Sequence, residues 1–119
     1  MSIIRRFALD QQVIASGSTD AVTATMEIHG KCEQVEVKVN NTTSAATPTV
    51  AITSKNGGTL FSKAAITINK TNIYKSFNDA ADFDAFLADE LCTFTVTPSA
   101  DPGVSGMNVD IAIYLRHVP

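Results

Sequence analysis

Apolar and polar residues alternate over much of this chain. Val22, Ala24, Met26 and Ile28 fall on one face of an extended segment, with Thr23, Thr25, Glu27 and His29 on the other. Val35, Val37 and Val39 alternate with Glu36 and Lys38, Val50 and Ile52 with Thr49, Ala51 and Thr53, and Ile66 and Ile68 with Thr67 and Asn69. Cys92, Phe94 and Val96 alternate with Thr93, Thr95 and Thr97. The longest run sets Met107, Val109, Ile111, Ile113 and Leu115 against Asn108, Asp110, Ala112, Tyr114 and Arg116. A period of two is the signature of a half-buried strand, because successive side chains leave opposite faces of the pleat. A first strand is expected near residues 4–10.

Turn residues separate these runs at Gly17-Ser18, Gly30-Lys31, residues 40–48, Asn56-Gly57-Gly58 and residues 98–106. Asn56-Gly57 suits a two-residue hairpin, since both central positions tolerate positive φ. Val, Ile and Thr together number 34 against 5 Leu, and β-branched side chains fit a pleated surface better than a helix. Short strands with such punctuation predict an all-β fold. The expectation is a single antiparallel β-sandwich, jelly-roll or Ig-like, of about seven or eight strands.

One segment breaks the pattern. Residues 78–90 read NDAADFDAFLADE. Asn78 or Asp79 can cap a helix, and Ala80, Phe83 and Leu87 share a face at helical spacing. One short helix or acidic flap is therefore expected near residues 79–90, laid over an open end of the sandwich. The segment holds five acids (Asp79, Asp82, Asp84, Asp89, Glu90) and no Lys or Arg; without them the net charge of −3 would be +2. Charge is thus segregated between an acidic flap and basic termini bearing Arg5, Arg6, Arg116 and His117.

Length and composition narrow the classes of function. The 119 residues make one domain, 1–119, with residues 1–8 available as an N-terminal contact arm. Hydrophobic residues are 45% and charged residues 18%, which excludes a disordered chain. A net charge of −3 argues against nucleic-acid binding driven by phosphate neutralisation. No apolar run approaches the ~18 residues of a membrane span, so no membrane partner is expected. The opening residues lack the apolar region and cleavage site of a secretory signal. Synthesis in a cytoplasm is expected, with Cys32 and Cys92 as free thiols and Cys92 as a small buried hydrophobe. The Asn-x-Thr triplets at Asn40, Asn41 and Asn69 then read as turn residues.

No catalytic constellation emerges. The acidic cluster lacks the spacing of a Ca²⁺ loop. His29, His117, Cys32 and Cys92 are too scattered to suggest a zinc site. No Gly-x-Ser-x-Gly occurs, and Gly57-Gly58 and the GVSG at residues 103–106 are not followed by a phosphate-binding helix. There is no Trp, and Tyr74 and Tyr114 are the only tyrosines, which disfavours a sugar-stacking surface. Phe7, Phe61, Phe77, Phe83, Phe86 and Phe94 are assigned to the core. No catalytic, cofactor or metal residues are assigned, and the profile is that of a structural or interaction module rather than an enzyme.

Residues 91–116 read LCTFTVTPSADPGVSGMNVDIAIYLR. Together with the opening Arg6-Phe7-Ala8-Leu9, the Thr97-Pro98 loop and the alternating strand at residues 109–115, this layout resembles small virion proteins of tailed bacteriophages. These are of the head decoration or auxiliary capsid type. The acidic stretch at residues 78–90 has no counterpart in that pattern. The resemblance implies a non-enzymatic protein on the capsid surface of a virion, made in the host cytoplasm. It would stabilise the head through contacts with the major capsid protein, copies of itself, or both, a trimer being one arrangement. The alternatives are a tail, connector or host-adhesion module of a virion, or a cytosolic ligand-binding β-sandwich. Candidate partner contacts are Ile3, Ile4, Arg5, Arg6 and Phe7 in the arm, Asp82 and Asp84 in the flap, and Arg116.

Overall fold

Alternation at period two carries over into strands. The computed structural model describes residues 4–77 and 81–117. It contains β1 (Ile4–Ala8), β2 (Gln12–Ile14), β3 (Val22–Asn40), β4 (Pro48–Thr53), β5 (Thr59–Lys63), β6 (Lys70–Lys75), β7 (Phe86–Pro98) and β8 (Met107–Arg116). Every pairing is antiparallel.

The spine is β3, 19 residues long. Its residues 22–32 pair with β7, residues 31–40 with β8, and residues 34–39 with β6. Lys31 and Cys32 pair with β7 and β8 at once, so those two strands flank opposite edges of β3. β6 therefore continues the edge that β7 occupies further back. One half of the sheet runs β5-β4-β7-β3; the other runs β6-β3-β8, with β1 and β2 along the far edge of β8. A bulge between Cys32 and Gln34 bends β3 between the two halves.

The halves close over a shared core. Val35, Val37, Val39, Ile111 and Ile113 from one half join Val50, Ile52, Phe61, Phe94 and Val96 from the other, all with 2% exposure or less. Burying each such side chain stabilises the fold by roughly 1.5–3 kcal/mol. Ring contact between Phe61 in β5 and Tyr74 in β6, 5.8 Å between centroids, ties the outer edges together. This is the β-sandwich-like, all-β architecture that the alternation implies.

Several local expectations are corrected. The helix is absent: among the described residues there is no helix, residues 81–85 are irregular, and residues 86–90 open β7. Asn78, Asp79 and Ala80 lie outside the described residues. Phe86 is buried and Leu87 is 65% exposed, so Leu87 does not share an inner face with Phe83. The spacing at 80, 83 and 87 competes with a period-two reading from Phe86 onward. The latter wins because β3 offers an open partner from Glu27 to Cys32. The acidic excursion that survives, described at residues 81–85, leads into β7, and Phe83 anchors it against Phe61 and Phe86 at 5.2 and 6.3 Å.

Gly30-Lys31 is not a turn. Gly30 lies within β3 at φ +137°, where a Cβ would stand 2.6 Å from the Arg116 carbonyl oxygen. The residue permits a bend and a close approach rather than a reversal. Residues 66–69 form no strand; Ile66 is buried and its N–H donates to the Pro48 carbonyl. The β4–β5 hairpin turns through residues 54–58, longer than two residues, closed by Ser54 N–H to the Gly58 carbonyl. Phe7 and Phe77 are 41% and 48% exposed and are not core. Cys32 and Cys92 are free and buried. Asn41 and Asn69 behave as turn residues: the Asn41 N–H donates to Asn69 Oδ1, and Asn69 Nδ2 donates back to the Asn41 carbonyl, each at 2.9 Å.

Candidate functional site

The contact residues read from the sequence separate into distinct places. Residues 4–8, within the arm read from the sequence, form β1 and pair with β8 from Ile4↔Arg116 to Ala8↔Ala112. All five are exposed, Ile4 at 48% and Phe7 at 41%. Arg6 reaches towards Glu36 at 3.9 Å, and Glu36 also accepts the Tyr114 hydroxyl at 2.9 Å. Among the described residues Arg5 makes no ion pair. Ile3 lies outside the described residues.

Arg116 lies half-exposed on the outer face of β8, in alternation with the buried Leu115. Its guanidinium grips Glu33 with Nε at 3.1 Å from both oxygens and Nη2 at 2.9 Å from one. That hydrogen-bonded cation holds the Glu33 carboxyl below the usual range and raises the Arg116 guanidinium further. Asp82 accepts the Lys75 N–H at 3.0 Å while its own N–H donates to the Lys75 carbonyl, so it pins the excursion. Asp84 is exposed on the same stretch.

A cluster the sequence did not disclose lies on the outer face of β3 and β7. The register pairs His29 with Asp89 and Glu27 with Leu91. His29 Nδ1 bonds the Asp89 carboxylate, and Nε2 stands 3.1 Å from Glu27. The hydrogen bond to Asp89 raises the His29 pKa, and Glu27 adds to the effect. His29 and Asp89 are sixty positions apart, so only the strand register could bring them together. Beside them an open cleft of about 440 Å³ is lined by His29, Gly30, Leu87, Ala88, Asp89 and His117.

Both nitrogens of the His29 ring are occupied by carboxylates, which leaves neither poised to take a proton from a nucleophile. Burial pushes the Cys32 thiol up to about 12 and raises Cys92, so neither cysteine offers a ready thiolate. Among the described residues, no three His, Cys, Asp or Glu side chains converge to hold a metal ion.

The outer surface of the β3–β7–β4 half carries Thr23, Thr25, Thr93, Thr95, Thr49 and Thr53 on its solvent side, by strand register. Two apolar side chains interrupt the polar surface near the cleft, Leu87 and Leu91 at 65% and 43% exposure. The chain therefore presents exposed strand edges and broad polar faces. No family model, no characterised protein and no solved structure matches this chain.

Proposed function

We propose that this chain is a non-enzymatic structural protein of a virion, a decoration or cement protein that stabilises a tailed-phage head. The observation that carries the reading is the pairing of the two stretches that bear the resemblance. Arg6-Phe7-Ala8 in β1 lies directly against Tyr114-Ile113-Ala112 in β8, and β1 is an exposed strand at the limit of the sheet. An exposed edge with apolar Ile4 and Phe7 is suited to joining a neighbour by strand pairing and packing.

Such a protein works by interface burial. A stable contact removes about 800 Å² per partner from water. That is a small share of the 6504 Å² surface of this molecule, so one copy can touch more than one shell subunit. Repetition over a symmetric shell multiplies modest contacts. The partners in this reading are the major capsid protein and further copies of this chain, and the location is the capsid surface.

The test is light scattering and sedimentation of the purified protein mixed with undecorated heads of candidate tailed phages. Saturable binding, at a fixed number per capsomer and with raised resistance of the heads to heat, supports the reading. Label found only on the tail selects the tail, connector or adhesion alternative instead. A protein that binds no head overturns the proposal.

A further inference from the structure

Among the described residues several strand edges are unpaired, those of β2, β5 and β6 included; two others carry opposite charges and match each other. The first is the outer edge of β1. β1 and β2 lie along one side of β8, whose other side is taken by β3. The Leu9 N–H donates to the Ile111 carbonyl at 2.9 Å. By ladder alternation the N–H and C=O groups of Ile4, Arg6 and Ala8 then point away from β8. Between β1 and β2, three residues stand opposite two of β8, a bulge that divides the open edge of residues 4–8 from that of β2.

The second edge belongs to the start of β7. β4 pairs with β7 only from Thr93 onward. Ahead of that point, β7 is paired on its β3 side alone. Among the described residues no other backbone hydrogen bond reaches residues 87–91. This stretch reads Leu87-Ala88-Asp89-Glu90-Leu91, and Asp82 and Asp84 lie on the segment that leads into it.

The geometry points to head-to-tail self-association, in which β1 of one copy adds to the free edge of β7 of a second copy. The occupant is set by charge. Arg5 and Arg6 sit on one edge; Asp89 and Glu90 sit on the other. Antiparallel addition in one register sets Arg5 opposite Glu90 and Arg6 opposite Asp89. The same register sets Ile4 opposite Leu91 and Phe7 opposite Ala88. Opposite charges directly across a ladder stabilise it, and like charges there destabilise it. The parallel alternative with Ile4 opposite Leu87 places Phe7 against Glu90 and leaves Arg5 against Ala88.

The same charges forbid the symmetric contacts. β1 against β1 would bring four arginines together, and β7 against β7 four carboxylates. The edges are thus guarded against their own kind and matched to each other. Because the two surfaces differ, the contact is heterologous and builds rings or open chains, not closed two-fold dimers. The inference rests on the two edges and stands apart from the virion reading. A chain that self-associates but binds no head refutes only that reading, and one that binds heads as a monomer refutes only this one.

The experiment is sedimentation velocity of the full chain across protein and salt concentration. Association that grows with protein and weakens with salt is expected, since exposed ion pairs are screened. R5E/R6E and D89K/E90K are each expected to weaken association roughly tenfold or more. Mixing those two variants restores it, because each then offers the edge its partner lacks. As a second readout, chains carrying Arg6→Cys and chains carrying Asp89→Cys are mixed under mild oxidant. An interchain disulfide between them, absent when either is oxidised alone, supports the register. A wild-type chain that stays monomeric at millimolar concentration overturns the inference. So does self-association that neither charge-reversed variant alters.

Discussion

Replacing Gly30 by Ala tests the feature that lets one strand serve both halves of the sheet. Gly30 is held at φ +137°, and an added Cβ would lie 2.6 Å from the Arg116 carbonyl oxygen. A comfortable C···O approach is about 3.3 Å or more. Either β3 or the end of β8 must therefore move by several tenths of an ångström. A residue with a Cβ forced to positive φ costs about 1–3 kcal/mol. Displacing Arg116 disturbs its pairing with Lys31. It also endangers one or two ladder hydrogen bonds, each contributing about 1 kcal/mol net. The expected loss is about 3–4 kcal/mol, a large share of the roughly 5–15 kcal/mol of a typical domain. Gly57→Ala is the control. Gly57 has φ +88° but nothing within 4 Å of the added Cβ, so only the conformational part of about 1–2 kcal/mol remains. Urea unfolding followed by circular dichroism reads both variants, with a slope of about 1–3 kcal/mol/M. The Gly30 midpoint should fall about 1 M further than the Gly57 midpoint, with the slope unchanged. If the two variants lie within about 0.5 kcal/mol of each other, the close approach at Arg116 contributes nothing and the reasoning fails.

Three further outcomes follow from the same geometry. Phe83→Ala should destabilise the fold by about 2 kcal/mol, less than a fully buried Phe, because Phe83 is only partly buried against Phe61 and Phe86; an unchanged urea midpoint would show that the excursion is not anchored there. His29 should titrate above its ordinary value of 6.5, and Asp89→Asn should bring it back down, as read by NMR of the ring protons. Its folded pKa is raised, so the stability it contributes is complete below about pH 6.5 and is lost as pH rises through the folded value; stability that instead grew with pH in that window, and did so only while His29 was present, would contradict the assignment. Cys32 and Cys92 are buried, so a thiol reagent should label them only as fast as the chain opens, and label both rapidly in urea; prompt labelling of the native chain would refute their burial.

Much of the fold is legible in the residues. Strict alternation at residues 22–28, 35–39, 49–53, 92–97 and 107–116 marks strands, because burial of one face of a pleat demands it. The Gly and Pro clusters mark the loops, and Gly103 and Gly106 do occupy positive φ. Legibility ends where a local pattern admits two answers. Residues 80–90 carry both a helical and a period-two reading, and no local term separates them. The open stretch of β3 from Glu27 to Cys32 does. Gly30 reads locally as a turn, yet β3 continues through it without reversing, because the backbone of Arg116 needs the space that a side chain would fill.

The candidate site was the least legible part. Arg5, Arg6 and the acidic stretch were visible as charges, but charge alone does not say which edge each one guards. Arg116, a candidate partner contact by sequence, is held by Glu33, eighty-three positions away. The His29–Asp89 contact exists only because β3 and β7 pair in one register. What the sequence determined by itself is the set of strands and their buried faces, since these follow from side-chain periodicity and transfer from water. Only the tertiary structure decided which edges are paired and which stay open, since ladder partners are chosen by contacts between residues far apart in the chain.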